Sequence, residues 1–104
     1  MRQIQHGDIL IREVESIPHE AKPVERRGGR IIVAEGEQTG HHHAITDKGA
    51  ILMELNGELY LEVTEPVTIS HEEHKDLPIP PGKYQVGHVR EFDYLAEMER
   101  RVAD

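Results

Sequence analysis

Residues 50–63 read AILMELNGELYLEV, two apolar-rich runs on either side of the dipeptide Asn56-Gly57. A two-residue type I′ turn needs positive φ at both central positions, and Asn followed by Gly meets that need at low steric cost. The stretch therefore predicts a hairpin with strands over Ala50–Leu55 and Glu58–Val63. Period-two alternation predicts a buried face of Ile51, Met53 and Leu55, matched by Leu59, Leu61 and Val63. The opposite, wet face would carry Glu54, Glu58 and Glu62.

Working outward, turn signals recur at the short spacing of an all-β chain. A first strand is expected over Asp8–Val14, entered from a turn at Gly7-Asp8, and a second over the β-branched run Arg30–Ala34. Pro18, Pro23 and Gly28-Gly29 make 15–29 a long connection, and 35–40 a turn that delivers the chain into His41-His42-His43. Beyond Pro66 a short strand is expected over Val67–Ser70. Residues 78–82, PIPPG, cannot donate a regular ladder and must form an edge and a turn. Lys83–Phe92 alternates, with Tyr84, Val86, His88 and Phe92 on one side. Asp93 can cap a short helix over Tyr94–Val102. The predicted fold is all-β: a small barrel or sandwich of about seven or eight short strands with a short C-terminal helix. The 104 residues form one domain.

Composition narrows the function classes. Twenty acidic against twelve basic residues give a net charge of −8, which argues against a phosphate backbone as partner, so nucleic acid is not expected. There is no cysteine, so disulfides, thiolate metal sites and a cysteine nucleophile are excluded. No apolar run approaches a membrane span, and the N-terminus MRQIQHGDIL lacks the layout of a signal peptide, so the expected location is cytoplasmic. Ser16 and Ser70 are the only serines, and neither sits in a GxSxG elbow.

Histidine is the informative residue. Five of eight histidines fall in two groups, His41-His42-His43 and His71-Glu72-Glu73-His74. On a strand His41 and His43 share a face while His42 points away. The second pair, three residues apart, converges on a turn or a single helical turn. The two groups thus predict a metal site of His41, His43, His71 and His74, with Glu73 as a nearby oxygen donor. Imidazole without thiolate suits zinc first, and iron, nickel or copper as well. A closed ligand set would be structural, whereas a vacant position would support simple metal-assisted chemistry such as hydrolysis or oxidation. Whether the chain is an enzyme stays open, and no substrate is implied. His6 and His19 read as solvated surface residues, and His88 as a core histidine before a fifth ligand. The competing reading is a non-enzymatic homo-oligomer whose histidines lie on the surface, where they titrate near neutrality, or meet across subunit interfaces.

The segments HGDIL, GEQTGHHH, HEEHKDLPIPPGKYQV and REFD resemble a small, uncharacterised bacterial family of about this length, which implies no mechanism. The chain also resembles cupins: His41 and His43 match their HxH pair, Pro81-Gly82 their second motif, and His88 their late histidine. No glutamate follows His43 until Glu54, and HEEH has no cupin counterpart. GDILIREVES and GGRIIV are similar to the start of the co-chaperonin barrel. Both likenesses imply a small β-barrel.

Overall fold

A computed structural model describes residues 1–35 and 41–89. Among the described residues ten strands run in the order β1 (Gln3–His6), β2 (Ile9–Glu13), β3 (Lys22–Pro23), β4 (Ile31–Glu35), β5 (His42–Ile45), β6 (Ala50–Leu55), β7 (Glu58–Val63), β8 (Val67–Ile69), β9 (Leu77–Ile79) and β10 (Gly82–His88). The all-β expectation holds. The helix expected over 94–102, and 36–40 of the turn before the histidine run, lie outside the described residues. Among the described residues no helix is long and apolar enough to cross a membrane.

Six strands form one antiparallel sheet in the order β1-β2-β10-β7-β6-β3. β4-β5 and β8-β9 form two further ribbons, and backbone hydrogen bonds in both directions between Ala44 and Ser70, each 2.9 Å, tie one ribbon to the other. The sheets do not close into a barrel. A single core collects Ile9, Ile11 and Tyr84 from the large sheet with Val33, Ile45, Ile69 and Ile79 from the ribbons. Tyr84 is fully buried, and its hydroxyl donates to the Pro80 carbonyl at 2.6 Å, so its one polar atom is satisfied.

The Ala50–Val63 hairpin forms with the expected limits. Asn56 has φ +51° and Gly57 φ +83°, as a type I′ turn requires. The expected face needs correction. A two-residue turn sets Leu55 opposite Glu58, so Leu52 faces Leu61 and Ala50 faces Val63. That face is buried, while Ile51 pairs with Glu62 and is 48% exposed. Alternation fixes which residues share a face on one strand, but only the register across the turn matches the two strands.

Two strands lay outside the sequence expectation. β1 joins β2 through a two-residue turn at Gly7-Asp8, with His6 opposite Ile9 and Gly7 at φ +63°. β3 is two residues at the sheet edge, where Pro23 is tolerated. The long connection after β2 is pinned by Arg26, whose guanidinium donates to the carbonyls of Gly29, Asp47 and Ala50.

Candidate metal centre

The end of β1, the start of β5 and the bend between β8 and β9 bring five imidazoles together. His43 lies on β5, where it is 1% exposed, and His41 immediately precedes that strand. Ring centroids are 4.4 Å apart for His43–His71, 4.6 Å for His71–His74 and 5.6 Å for His41–His71. The Ala44–Ser70 bridge explains the meeting: it fixes β5 beside β8, so the residues just before Ala44 lie against those just after Ser70. The two histidine groups separated by thirty residues thus face each other, and the His71–His74 bend converges as the spacing suggests. His42 is half-buried, and its backbone N–H donates to Glu72 Oε2 at 3.0 Å.

The fifth imidazole is His6, read from the sequence as a solvated residue. That reading is overturned: His6 is 1% exposed and stands 5.1 Å from the His43 ring and 5.7 Å from that of His74. Its neighbours in QIQH carry no signal, since its partners lie 37 and 69 residues away, at His43 and Lys75. His19 is a surface residue as expected, 3.2 Å from Glu20 with a side chain 93% exposed. His88 shares a strand with Tyr84 and Val86 and pairs with Ile9 of β2, but is exposed rather than core, because it lies beyond the last pair with β7, Val86–Leu59. Its Nδ1 stands 3.5 Å from Asp8 Oδ2.

Polar contacts within the cluster are specific. Nδ1 of His6 and Nδ1 of His43 are 2.9 Å apart, and Nε2 of His6 is 3.0 Å from the Lys75 carbonyl oxygen. Nε2 of His43 stands 3.4 Å from Asp8 Oδ1. His71 Nδ1 accepts the backbone N–H of Glu73 at 3.0 Å. Among the described residues the buried Nδ1 of His41 has no hydrogen-bond partner; Glu73 Oε1 stands 3.7 Å from it. A buried nitrogen left without a partner costs on the order of 1–3 kcal/mol.

Burial sets the electrostatics. Desolvation first, then the neighbouring His71 and His6, pushes His43 down from 6.5 to about 4, despite the opposing pull of Asp8. His6 is lowered too, chiefly by burial and against the bond to the Lys75 carbonyl. Backbone N–H groups, its own and that of His42, hold the Glu72 carboxyl below its usual value. Both buried imidazoles are therefore neutral at pH 7 and carry a lone pair, the form in which histidine ligates a metal.

One donor atom from each of His41, His71 and Glu72 lies within 4.8 Å of the other two, close enough for one ion to draw them together. Glu72 supplies the oxygen of this trio in place of the expected Glu73. Nothing in the spacing of HEEH distinguishes its two glutamates; the His42 N–H does, by drawing Glu72 back towards β5.

Residues 5–88 match the family model described as Domain of unknown function (DUF8820), and the chain belongs to that family. No curated protein and no solved structure matches the chain.

Proposed function

We propose that this member of a family of unknown function binds a first-row transition metal ion, zinc before iron, nickel or copper, in the histidine cluster. One observation carries the reading: a donor atom of His41, whose Nδ1 is buried and unpartnered among the described residues, lies within 4.8 Å of donor atoms of His71 and Glu72. Two imidazoles and a carboxylate form the nitrogen-and-oxygen set that a cysteine-free chain can offer such an ion. His43 and His74 complete the set expected from the sequence, and their rings lie 4.4 and 4.6 Å from that of His71.

Binding has an identifiable cost. A neutral His71 that accepts the Glu73 N–H at Nδ1 carries its proton on Nε2. Ligation through Nε2 would move that proton and release the bond, at about 1 kcal/mol, so the ion loosens the bend it joins. Glu72, Glu73 and His74 are exposed. That open side leaves a position for water, which supports metal-assisted chemistry such as hydrolysis. A second copy of the chain could equally fill it, making the ion a structural joint in a homo-oligomer.

Elemental analysis of the purified protein, with His41→Ala and His71→Ala beside it, tests the reading. A stoichiometric ion lost in both variants supports it. A wild-type protein without metal that takes up neither zinc nor nickel below the micromolar range would overturn it. Sizing with and without chelator separates the joint from the open site: only the joint changes mass.

A further inference from the structure

His6 and His43 are the two buried polar residues of the core, and each ring has an acceptor behind it. The Lys75 carbonyl can only accept, so the N–H of His6 belongs on Nε2, 3.0 Å away. The Asp8 carboxylate likewise only accepts, and it stands 3.4 Å from Nε2 of His43. A neutral imidazole has one N–H. With the His6 proton on Nε2, its Nδ1 faces Nδ1 of His43 at 2.9 Å as a lone pair. The contact is a hydrogen bond where His43 carries its proton on Nδ1; where that proton sits on Nε2, towards Asp8, two lone pairs meet and repel unless a metal ion lies between them.

A shared proton, the N–H of one ring, or a metal ion fits such a gap. The surroundings favour the metal. A carbonyl or carboxylate behind the second ring nitrogen is the usual support of a ligating histidine, and here both rings have one. Nitrogens bound to one tetrahedral ion at about 2.0–2.1 Å stand roughly 3.3–3.4 Å apart, so an ion would spread this pair by roughly half an ångström. A third ring is also at hand: His74 lies 5.7 Å from His6 and 5.8 Å from His43, which are themselves 5.1 Å apart. Three imidazoles around one four-coordinate ion hold their centroids roughly 5–5.5 Å apart. Gly7 admits that third ring, since a Cβ there would come within 2.6 Å of His74 Nε2.

We infer that Nδ1 of His6 and Nδ1 of His43 form a second metal seat, with His74 as third donor and Asp8 and the Lys75 carbonyl as positioning groups. This rests on the reading of the cluster as a metal centre and adds an ion to it. The seat adjoins that of His41, His71 and Glu72 through the His43–His71 contact, so the chain takes two ions.

The test is a zinc titration against a chromophoric chelator for wild type, His6→Gln, Asp8→Asn and His41→Ala, with cobalt(II) absorption as a second readout. Wild type should bind two ions, and His6→Gln and His41→Ala one each. The ion left in His41→Ala should keep a histidine-rich cobalt spectrum that the additional His6→Gln change removes. Asp8→Asn should keep both ions and bind one of them 10-fold or more weakly. A wild type that binds one ion, lost in His41→Ala and kept in His6→Gln, overturns the second seat and assigns the gap to a shared proton, leaving the proposed function intact. An ion lost in His6→Gln and untouched by His41→Ala overturns the first seat instead. If His6→Gln fails to fold, unchanged affinities in Asp8→Asn overturn the proposal independently.

Discussion

In the β6–β7 hairpin the buried face is Ala50, Leu52, Leu61 and Val63, each at most 4% exposed, and none of these side chains needs a partner. In the histidine cluster His6 and His43 are buried as deeply, yet every contact they make has a direction and a proton to account for. Removing apolar area from water is favourable wherever the area goes. Removing an imidazole from water is unfavourable until its nitrogens are satisfied. The buried face of the hairpin therefore needs nothing beyond its pattern, whereas the cluster needs a partner for each ring nitrogen, and the proposed ions would supply one. A core that small gains by such a linkage, because an ion that binds only the folded chain stabilises it by mass action.

The sharpest way to break this contrast is to damage each region and ask whether metal matters. Leu61→Ala should cost about 2–5 kcal/mol, the range for deleting a fully buried leucine side chain. Urea melts should show the same loss with zinc and with chelator, because Leu61 touches only the apolar demand. A loss that shrinks when zinc is withdrawn would mean the two regions are one energetic unit.

Acid separates them next. His43 sits at about 4 in the fold and at 6.5 when unfolded, so between those values the unfolded chain binds the extra proton. Stability of the metal-free protein is therefore whole above about 6.5, falls as pH drops, and has lost its full share near 4. The full shift corresponds to a loss of order 3 kcal/mol. His6, lowered in the same direction, adds to it. Denaturant melts from pH 8 to pH 4 on wild type and His43→Leu check this: the leucine variant should lose most of the slope, and Leu61→Ala none. Equal slopes in wild type and His43→Leu would remove His43 from the account.

Gly7→Ala probes the seam between the regions, since Gly7 turns β1 into β2 and also lies under His74. At φ +63° an alanine costs about 1–2 kcal/mol, and its Cβ would have to displace the His74 ring. Stability should fall modestly while zinc affinity at the His6–His43 seat falls with it. Gly28→Ala, at φ +59° with open space around it, should show the backbone cost without the metal effect.

The same contrast governs what was legible in the sequence. Asn56-Gly57 announces its turn because the φ requirement is local, and HHH and HEEH announce a cluster because the ligands are neighbours in the chain. The inward face of β6 is not legible in the same way, because Ile51 and Met53 are as apolar as Leu52, so composition does not choose and only register does. His6 was missed for a different reason. One imidazole in QIQH looks like any polar edge residue until Gly7-Asp8 folds β1 onto β2 and places it against β5. His88 shares the correct alternation with Tyr84 and Val86, but alternation does not say where along a strand the core stops. Local rules find the elements and four of the cluster's five imidazoles; the fifth depends on chain reversal and sheet order.

The smallest expected effect tests whether the hairpin's stability is as local as its sequence signal. Asn56 occupies φ +51°, where alanine pays about 1 kcal/mol and glycine does not. Asn56→Ala should lower stability by about that amount, and Asn56→Gly should change it little. Neither should alter zinc stoichiometry, because the register of β6 on β7 is held by Leu52–Leu61 and Ala50–Val63 as well as by the turn. If Asn56→Ala also weakened metal binding, the turn would be setting the position of β6 and, through it, the chain entering from β5. The cluster would then depend on hairpin register, and a region that satisfies its own burial could no longer be treated as independent of one that waits for an ion.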